Sequence, residues 1–477
     1  MGAIRVTVAA VLMFAVAAVA AAQCVTDAQR ISTRLAVPNL IAGPSAWSGF
    51  GLAVAKTEDG DPESIWIAVY DEMLHTLVPD TRVVTDGADR HALIDLVWNG
   101  FEYGLFYRAD AALHLQRLSP SGTPVGSPIA IDPARPVRIR QPIEVAWSDT
   151  LNAWVLARDI ISGSNSGLWA IIVERDWSVR QAQLLGSDPD VTPFLQIAVT
   201  GNGVIGVLNV SADDDALHFS RFVPGQSQFP PAKPIASSGL QARAAAIGNH
   251  FVVVRSAGDD IRWMVFDSSG AVVKEEALLV DAKDGDVAVP RALAAGNGEL
   301  ALTYGRTSST NELDFRLLRF RVDGTIVSDT LFAAGESRAR NAASAYPAVW
   351  SGTSWLIAAS RDSAANGDSW IERYCPLVVE IFANPAVRLG QPATFRAFAS
   401  GGAPGYAYQW SFTRDPGGFR NAEVVERTYG RTGAATATVT VTDASGETET
   451  RQFEFTVTDE PDPDPEPAKP RRRAVKK

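Results

Sequence analysis

The sequence predicts an all-β protein: a seven-bladed β-propeller followed by a smaller β-sandwich. Two observations carry the propeller. A motif of apolar residues, Trp, Ser or Asn, and Gly recurs at intervals near fifty residues, and each interval holds several short strand-like runs separated by Gly-containing turns. A third observation carries the sandwich, because after Cys375 the motif stops and a Thr/Val alternation replaces it.

The motif copies are AWSGFGLAVA (46–55), VWNGFEYGLFY (97–107), AWSDTLNAWVLA (146–157), AVTGNGVIGVL (198–208), AAIGNHFVVVR (245–255), LAAGNGELALTY (293–304) and VWSGTSWLIAAS (349–360). Their anchor positions are Trp47, Trp98, Trp147, Val199, Ala246, Ala294 and Trp350, spaced 51, 49, 52, 47, 48 and 56 residues apart. Each core reads strand, tight turn, strand, with Ser/Asn-Gly or Gly-Asn supplying the positive-φ residues of a short hairpin. A third strand follows, as in SIWIAVYDE (64–72), ALHLQRLS (112–119) or DIRWMVFD (260–267). A turn such as SPSGTPV, DSSGAVV or RVDGTIV then leads to a fourth strand. Four antiparallel strands per repeat make a propeller blade. A solenoid would use shorter coils, and an array of separate sandwiches would need about twice the length per unit.

In alternating strands Trp47, Trp98, Trp147 and Trp350 share one side and are expected in the core between blades. Trp154, Trp169, Trp177, Trp263, Trp355 and Trp370 fall outside the anchor and are the aromatic candidates for a binding surface.

Blade seven runs out of chain at Cys375, before a fourth strand. The segment RISTRLAVP (30–38) precedes the first anchor and reads as the missing strand, added from the N-terminus to close the ring. The two cysteines of the chain, Cys24 and Cys375, flank that closure, and a disulfide between them is expected. Over so long a loop the entropic contribution would reach roughly 5–6 kcal/mol before strain.

Residues 1–22 contain Arg5 as their only charge, then an apolar run ending Ala20-Ala21-Ala22. This reads as a secretory signal peptide with the mature chain starting at Gln23. The run is short for an uncleaved membrane anchor, and Gln23 before Cys24 disfavours a lipoprotein signal. No later segment is long and apolar enough to span a bilayer. The net charge is −11. Removing Arg5 and a tail (459–477) of five acids and six bases leaves the body near −13, which excludes nucleic acid as a partner.

Residues 376–458 contain GQPATFRAFASGGAPGYAYQWSF (390–412) and TYGRTGAATATVTVTDASG (428–446). The Tyr408-x-Trp410-x-Phe412 strand, the Tyr429…Gly433 corner and the TVTVTDASG strand and turn resemble the PKD domain, a small immunoglobulin-like β-sandwich. One departure is TRDPGGF (413–419), where the family usually has Gly-Asp-Gly. The residues agree with that fold: Thr436, Thr438, Thr440 and Thr442 alternate with Ala437, Val439 and Val441, and Trp410 is placed as the core aromatic. The resemblance implies a spacer or a carbohydrate- or protein-binding accessory, in a bacterial exported protein. DEPDPDPEPAKP (459–470) would stay extended over roughly 35–40 Å, ahead of the basic end PRRRAVKK.

No catalytic residue, metal ligand or cofactor can be nominated from the sequence. His75, His91, His114, His218 and His250 are scattered and none has zinc spacing. TEDGDPES (57–64) and SADDDALH (211–218) concentrate carboxylates but do not fit a calcium loop. There is no GxSxG elbow and no S-x-D-x-G-x-x-W turn of the sialidase type. Nor does any cluster of acids, Arg or His stand out on one propeller face. The expectation is an exported, non-enzymatic binding or scaffolding protein contacting extracellular polysaccharide or protein. The alternative is a propeller glycoside hydrolase or polysaccharide lyase with an accessory domain.

The disulfide is directly testable. Intact protein purified from an oxidising compartment should titrate no free thiol and two after reduction; two reactive thiols before reduction would refute the pairing.

Overall fold

The computed structural model describes residues 40–459, apart from 59–60, 85–90, 110–111, 132–142, 161–166, 187–194, 211–215, 227–232, 238–240, 283–285, 309–311, 338–347, 362–367, 403, 415–420 and 445. The signal segment, Cys24, the expected closing strand 30–38 and the tail beyond 459 lie outside the described residues. All regular elements among the described residues are strands, and none is a helix long and apolar enough to cross a membrane.

Residues 40–374 form seven antiparallel sheets, six of four strands and a seventh of three, with strands in sequence order within each sheet. The first strand of each blade is innermost and lies beside the first strands of its neighbours. These inner strands are Leu40–Trp47, His91–Trp98, Ile143–Ser148, Leu195–Val199, Ala242–Ile247, Val287–Gly296 and Ala348–Trp350. The seventh blade contributes Ala348–Trp350, Trp355–Arg361 and Asp368–Tyr374, matching the three strands expected of it.

The repeated motif has a local physical cause. In five blades the residue after the anchor is Ser, Asn or Thr, buried in blades one to four and half-buried in blade seven, and its side-chain oxygen accepts N–H groups of the hairpin turn. Ser48 accepts from Phe50 and Gly51, Asn99 from Phe101 and Glu102, Thr200 from Val204, and Ser351 from Thr353 and Ser354, all at 2.9–3.3 Å. Gly49, Gly100 and Gly352 follow with φ of 86°, 91° and 106°, which only glycine adopts without strain. The polar residue therefore satisfies backbone donors that the turn would otherwise bury unpaired.

Anchors pair across the hairpin: Trp98 with Tyr103, Trp147 with Trp154 and Trp350 with Trp355, at ring separations of 4.8, 5.0 and 5.2 Å. The anchor tryptophans are half-buried at the edge of the core, while Trp154 and Trp355 are fully enclosed. In blade six the sequence register is off by one. The pair equivalent to Ala246–Phe251 is Ala295–Leu300, and Ala294 faces the opposite side, against blade seven. A bulge at Arg291 shifts the inner strand there.

The apolar core of this unit divides into seven clusters, each straddling two successive blades. One joins blades seven and one through Leu52, Val54, Tyr70, Leu74, Leu356, Ala358 and Ile371, so the described strands already form a closed ring. A polar clasp covers the same seam. The Glu72 carboxylate accepts from the hydroxyls of Ser351, Thr353 and Ser354, and Arg373 donates to Ser354 at 3.2 Å. Burial alone would raise the Glu72 carboxyl, but the three hydroxyls and Arg373 outweigh it and hold it below the usual range.

Beside the seam, Lys56 is fully buried and paired with Asp80, with its ammonium also donating to Tyr70 Oη at 3.3 Å. Desolvation lowers the lysine and the Asp80 partner opposes that shift.

The C-terminal unit is a sandwich of a three-stranded sheet (Val378–Ala383, Pro392–Ser400, Val424–Thr428) and a four-stranded sheet (Ala386–Arg388, Thr448–Thr458, Gly433–Thr442, Ala407–Phe412). Trp410 is fully buried, donates from Nε1 to the Ala422 carbonyl at 2.8 Å and packs with Phe395 and Phe412. The threonines of Gly433–Thr442 are half-buried while Ala437, Val439 and Val441 are buried, as the alternation requires.

Lys56→Ala should cost about 3–5 kcal/mol in urea unfolding, because it strands a buried carboxylate. The double variant Lys56→Met/Asp80→Leu should recover most of that loss; equal destabilisation of both would show that the pair is not what the seam depends on.

Candidate functional site

Three residues before the anchor, the inner strands of blades two to five carry Asp95, Glu144, Gln196 and Arg243. Their register confirms the equivalence: Asp95 pairs with Phe106, Glu144 with Ala157, Gln196 with Leu208 and Arg243 with Val254, each three residues beyond the anchor's partner. Blade six adds Arg291 from its bulge. Innermost strands surround the propeller axis, so one repeat position places four polar side chains around it, with a fifth beside them.

These groups contact one another from blade to blade. Asp95 accepts the Leu96 N–H at 2.8 Å and a backbone N–H from Val145 of the next blade. Gln196 Nε2 donates to Glu144 Oε1 at 2.9 Å. Arg243 donates from Nε to the Arg291 carbonyl and from Nη1 to the Ala242 carbonyl at 2.6 Å. All five side chains are half-buried.

Burial dominates their titration. It pushes the Asp95 carboxyl up to about 7 against two backbone donors. It pushes Glu144 up to about 8, helped by the neighbouring Asp95 charge and opposed by Arg243 and Gln196. Arg243 is lowered to about 10 by burial, with Glu144 raising it and Arg291 lowering it further, and it stays cationic at neutral pH. The arrangement therefore sets carboxyls that hold a proton near neutrality on one side, two guanidiniums on the other and an amide between them. It can donate hydrogen bonds, neutralise an anion and, from a protonated carboxyl, supply a proton.

The sequence offered no cluster of acids and arginines, and the structure corrects this. Asp, Glu, Gln and Arg share no residue type, so no motif marks them; only their common offset from the anchor does. Three of the six aromatic candidates are also corrected, and the Trp370 side chain lies outside the described residues. Trp154, Trp263 and Trp355 are at most 2% exposed and belong to the core between blades, while Trp169 and Trp177 are half-buried. Among the described residues the large exposed aromatics are instead Phe50 and Phe101, at 79% and 67%, on the hairpin tips of blades one and two. Arg175 lies over the Phe101 ring at 4.3 Å.

The histidines do not converge on a metal-binding group among the described residues. His75 is exposed beside Asp71, and His91 and His114 flank Tyr107. Of the acidic loops, residues 59–60 and 211–215 lie outside the described residues.

Residues 375–457 match the family model of the PKD domain, and the C-terminal unit is a PKD domain. No curated protein sequence matches the chain. Among solved structures, the periplasmic gluconolactonase of Pseudomonas aeruginosa is similar at 12% identity and TM-score 0.43, covering 87% of this chain and 99% of that one. The extracellular domain of a hybrid two-component system from B. thetaiotaomicron is similar at 8% identity and TM-score 0.39, with 88% of this chain and 56% of that one covered, so the chain spans little more than half of that domain. A polysaccharide lyase, an ulvan lyase, is similar at 9% identity and TM-score 0.33, with 89% and 96% covered. These likenesses concern the fold alone.

The raised carboxyls have a signed consequence for stability. The folded chain holds protons on Asp95 and Glu144 that the unfolded chain releases nearer its ordinary values of 3.8 and 4.5. Their contribution is therefore full at low pH and is lost as pH rises toward about 7 and about 8. Glu144→Gln should lose less melting temperature than the wild type as pH rises through this window; identical slopes would mean the carboxyl is not held up in the folded state.

Proposed function

We propose that the chain is an exported binding protein, in which the propeller takes an extracellular carbohydrate or protein ligand and the PKD domain serves as a spacer or accessory contact. The observation that carries this reading is the set of Asp95, Glu144, Gln196, Arg243 and Arg291 around the axis. These are polar groups on innermost strands, fixed by neighbouring blades. Rigid strands hold such a set more closely than loops would. Export rests on the apolar leader 1–22 with its Ala-Ala-Ala end. The strand 30–38 and a Cys24–Cys375 bond belong to the same proposal, as reinforcement of the seam between blades seven and one.

A second reading has one specific observation in its favour. Two carboxyls side by side, with Glu144 held up to about 8 and Asp95 to about 7, are the property expected of a general acid and its partner in glycoside cleavage or lyase chemistry.

Co-sedimentation of the full chain with insoluble polysaccharides and cell envelopes separates the two. Retention in the pellet with no soluble sugar product supports the binding protein. Released oligosaccharide, abolished by Glu144→Gln, would replace it with the enzyme. Absence of both from every polysaccharide, with capture by envelope protein alone, would move the ligand class to protein.

A further inference from the structure

We infer that the ring of hairpin tips at one end of the propeller is a second binding surface, and that its ligand is an uncharged polysaccharide chain stacked on Phe50 and Phe101. The inference rests on reading the chain as a binding protein, but on none of the inner-strand residues that carried that reading.

The first hairpin of each blade closes at one end of the ring, and neighbouring blades tie the tips together. Thr150 donates to the Gly201 carbonyl, the Gly201 N–H to the Gly248 carbonyl and Tyr103 to the Gly51 carbonyl, each at 2.7 Å. Arg175 of blade three donates to the Asn99 carbonyl of blade two at 3.4 Å. The tips are therefore held in fixed relation to one another, as a binding platform requires.

Blades seven, one and two are consecutive in the ring and close with the same two-residue turn. The N–H of Ser351, Ser48 and Asn99 donates to the carbonyl of Ser354, Gly51 and Glu102 at 2.9, 3.0 and 3.1 Å. Gly352, Gly49 and Gly100 take the first central position with positive φ. The second central residue is Thr353 in blade seven, but Phe50 and Phe101 in blades one and two. The turn does not call for a ring there, since a small polar residue closes it equally well in blade seven. Nor does the core, because the two side chains are 79% and 67% exposed. A single exposed apolar residue needs no explanation, but a phenyl ring at one turn position on two adjacent blades does. Arg175 packs 4.3 Å from the centre of the Phe101 ring and fixes its orientation.

The other tips say what lies on the rings. Blades four, five and six present Asn202, Asn249 and Asn297, all exposed. Among the central turn residues 49–50, 100–101, 149–152, 201–203, 248–249, 297–298 and 352–353, the sole charged one is Asp149, whose carboxylate accepts from Trp147 Nε1 at 2.7 Å. In a chain of net charge −11 this ring lacks the charged groups that recognition of an ionic ligand uses. A neutral pyranose matches it: the C–H face of the sugar covers a phenyl ring, and its hydroxyls both donate to and accept from side-chain amides. A stable protein interface needs a contiguous apolar centre inside a polar rim, and two rings on separate tips beside polar tips do not make one. A polysaccharide repeats its sugar face along the chain and lies across an open surface, so no enclosed cavity is needed.

Depletion of the full chain from solution by insoluble cellulose, β-1,3-glucan and mannan, with insoluble polygalacturonate as the charged comparison, tests this. At least one neutral polymer should retain the wild type, with the same affinity at about 0.05 and about 0.5 M salt. The double variant Phe50→Ala/Phe101→Ala should bind that polymer about tenfold or more weakly, and Phe50→Tyr/Phe101→Tyr should keep the affinity. Leu278→Ala, which removes an exposed apolar side chain from a fourth strand, should change nothing. Melting curves of the alanine variant should match the wild type, because the rings it removes are outside the core. Undiminished binding by the alanine variant, retention by polygalacturonate alone, retention that salt abolishes, or retention by none of the neutral polymers overturns the tip surface. If envelopes still sediment the protein in those cases, the binding reading stands without it; if nothing sediments it, both fall.

Discussion

A four-stranded blade has two apolar faces and can hide neither by itself. Every blade must therefore lie between two others, and the first and last must meet. The seven inter-blade clusters are the result: the core has no centre, only seams. The seam between blades seven and one differs from the rest because its two sides come from distant parts of the chain and blade seven has three described strands. Partly buried polar groups join its two sides. Glu72 collects three hydroxyls of blade seven, and the Lys56–Asp80 pair is buried alongside. Such groups are poor sources of net stability but demand partners in one geometry, so they fix how the two blades meet.

Repetition also fixes environment. A residue's offset from the anchor decides whether it meets the preceding blade, the following blade or the hairpin turn. The residue after the anchor is Ser, Asn or Thr in most blades because the buried turn needs an acceptor. The residue three before it faces the next blade beside the axis, which is why Asp95 reaches the Val145 amide and Glu144 reaches Gln196. Turn chemistry constrains side-chain type; axial location does not.

This difference explains what was legible in the sequence. Trp47, Trp98, Trp147 and Trp350 could be aligned because four of the seven blades share one large residue at the anchor, and the Gly-containing turn that follows carried the alignment through Val199, Ala246 and Ala294 to the blade count. Trp410 and the Thr/Val alternation after residue 433 gave the sandwich. The register failed in blade six, where Gly296-Asn297-Gly298 offers two Gly/Asn pairs, the turn uses the second, and Ala294 and Ala295 look alike. Trp154 and Trp355 were misplaced because alternation alone does not tell a seam-facing strand residue from a surface one. The axial residues were invisible since their value lies in being unlike one another.

The electrostatics of the axis follow from the same geometry. A carboxyl on the surface of this acidic protein would be ionised and would add to the negative field. Placed on an inner strand, Asp95 and Glu144 lose water, and the Asp95 charge adds to the effect on Glu144, so both carboxyls rise above their ordinary range. Arg243 loses water too, yet a guanidinium starts so far above neutrality that a lowering to about 10 leaves it charged. Equal burial thus acts unequally: it moves the acids toward neutrality and leaves the arginine charged. The ring of blades, required only to cover apolar faces, in this way places carboxyls with raised titration beside an arginine that stays cationic.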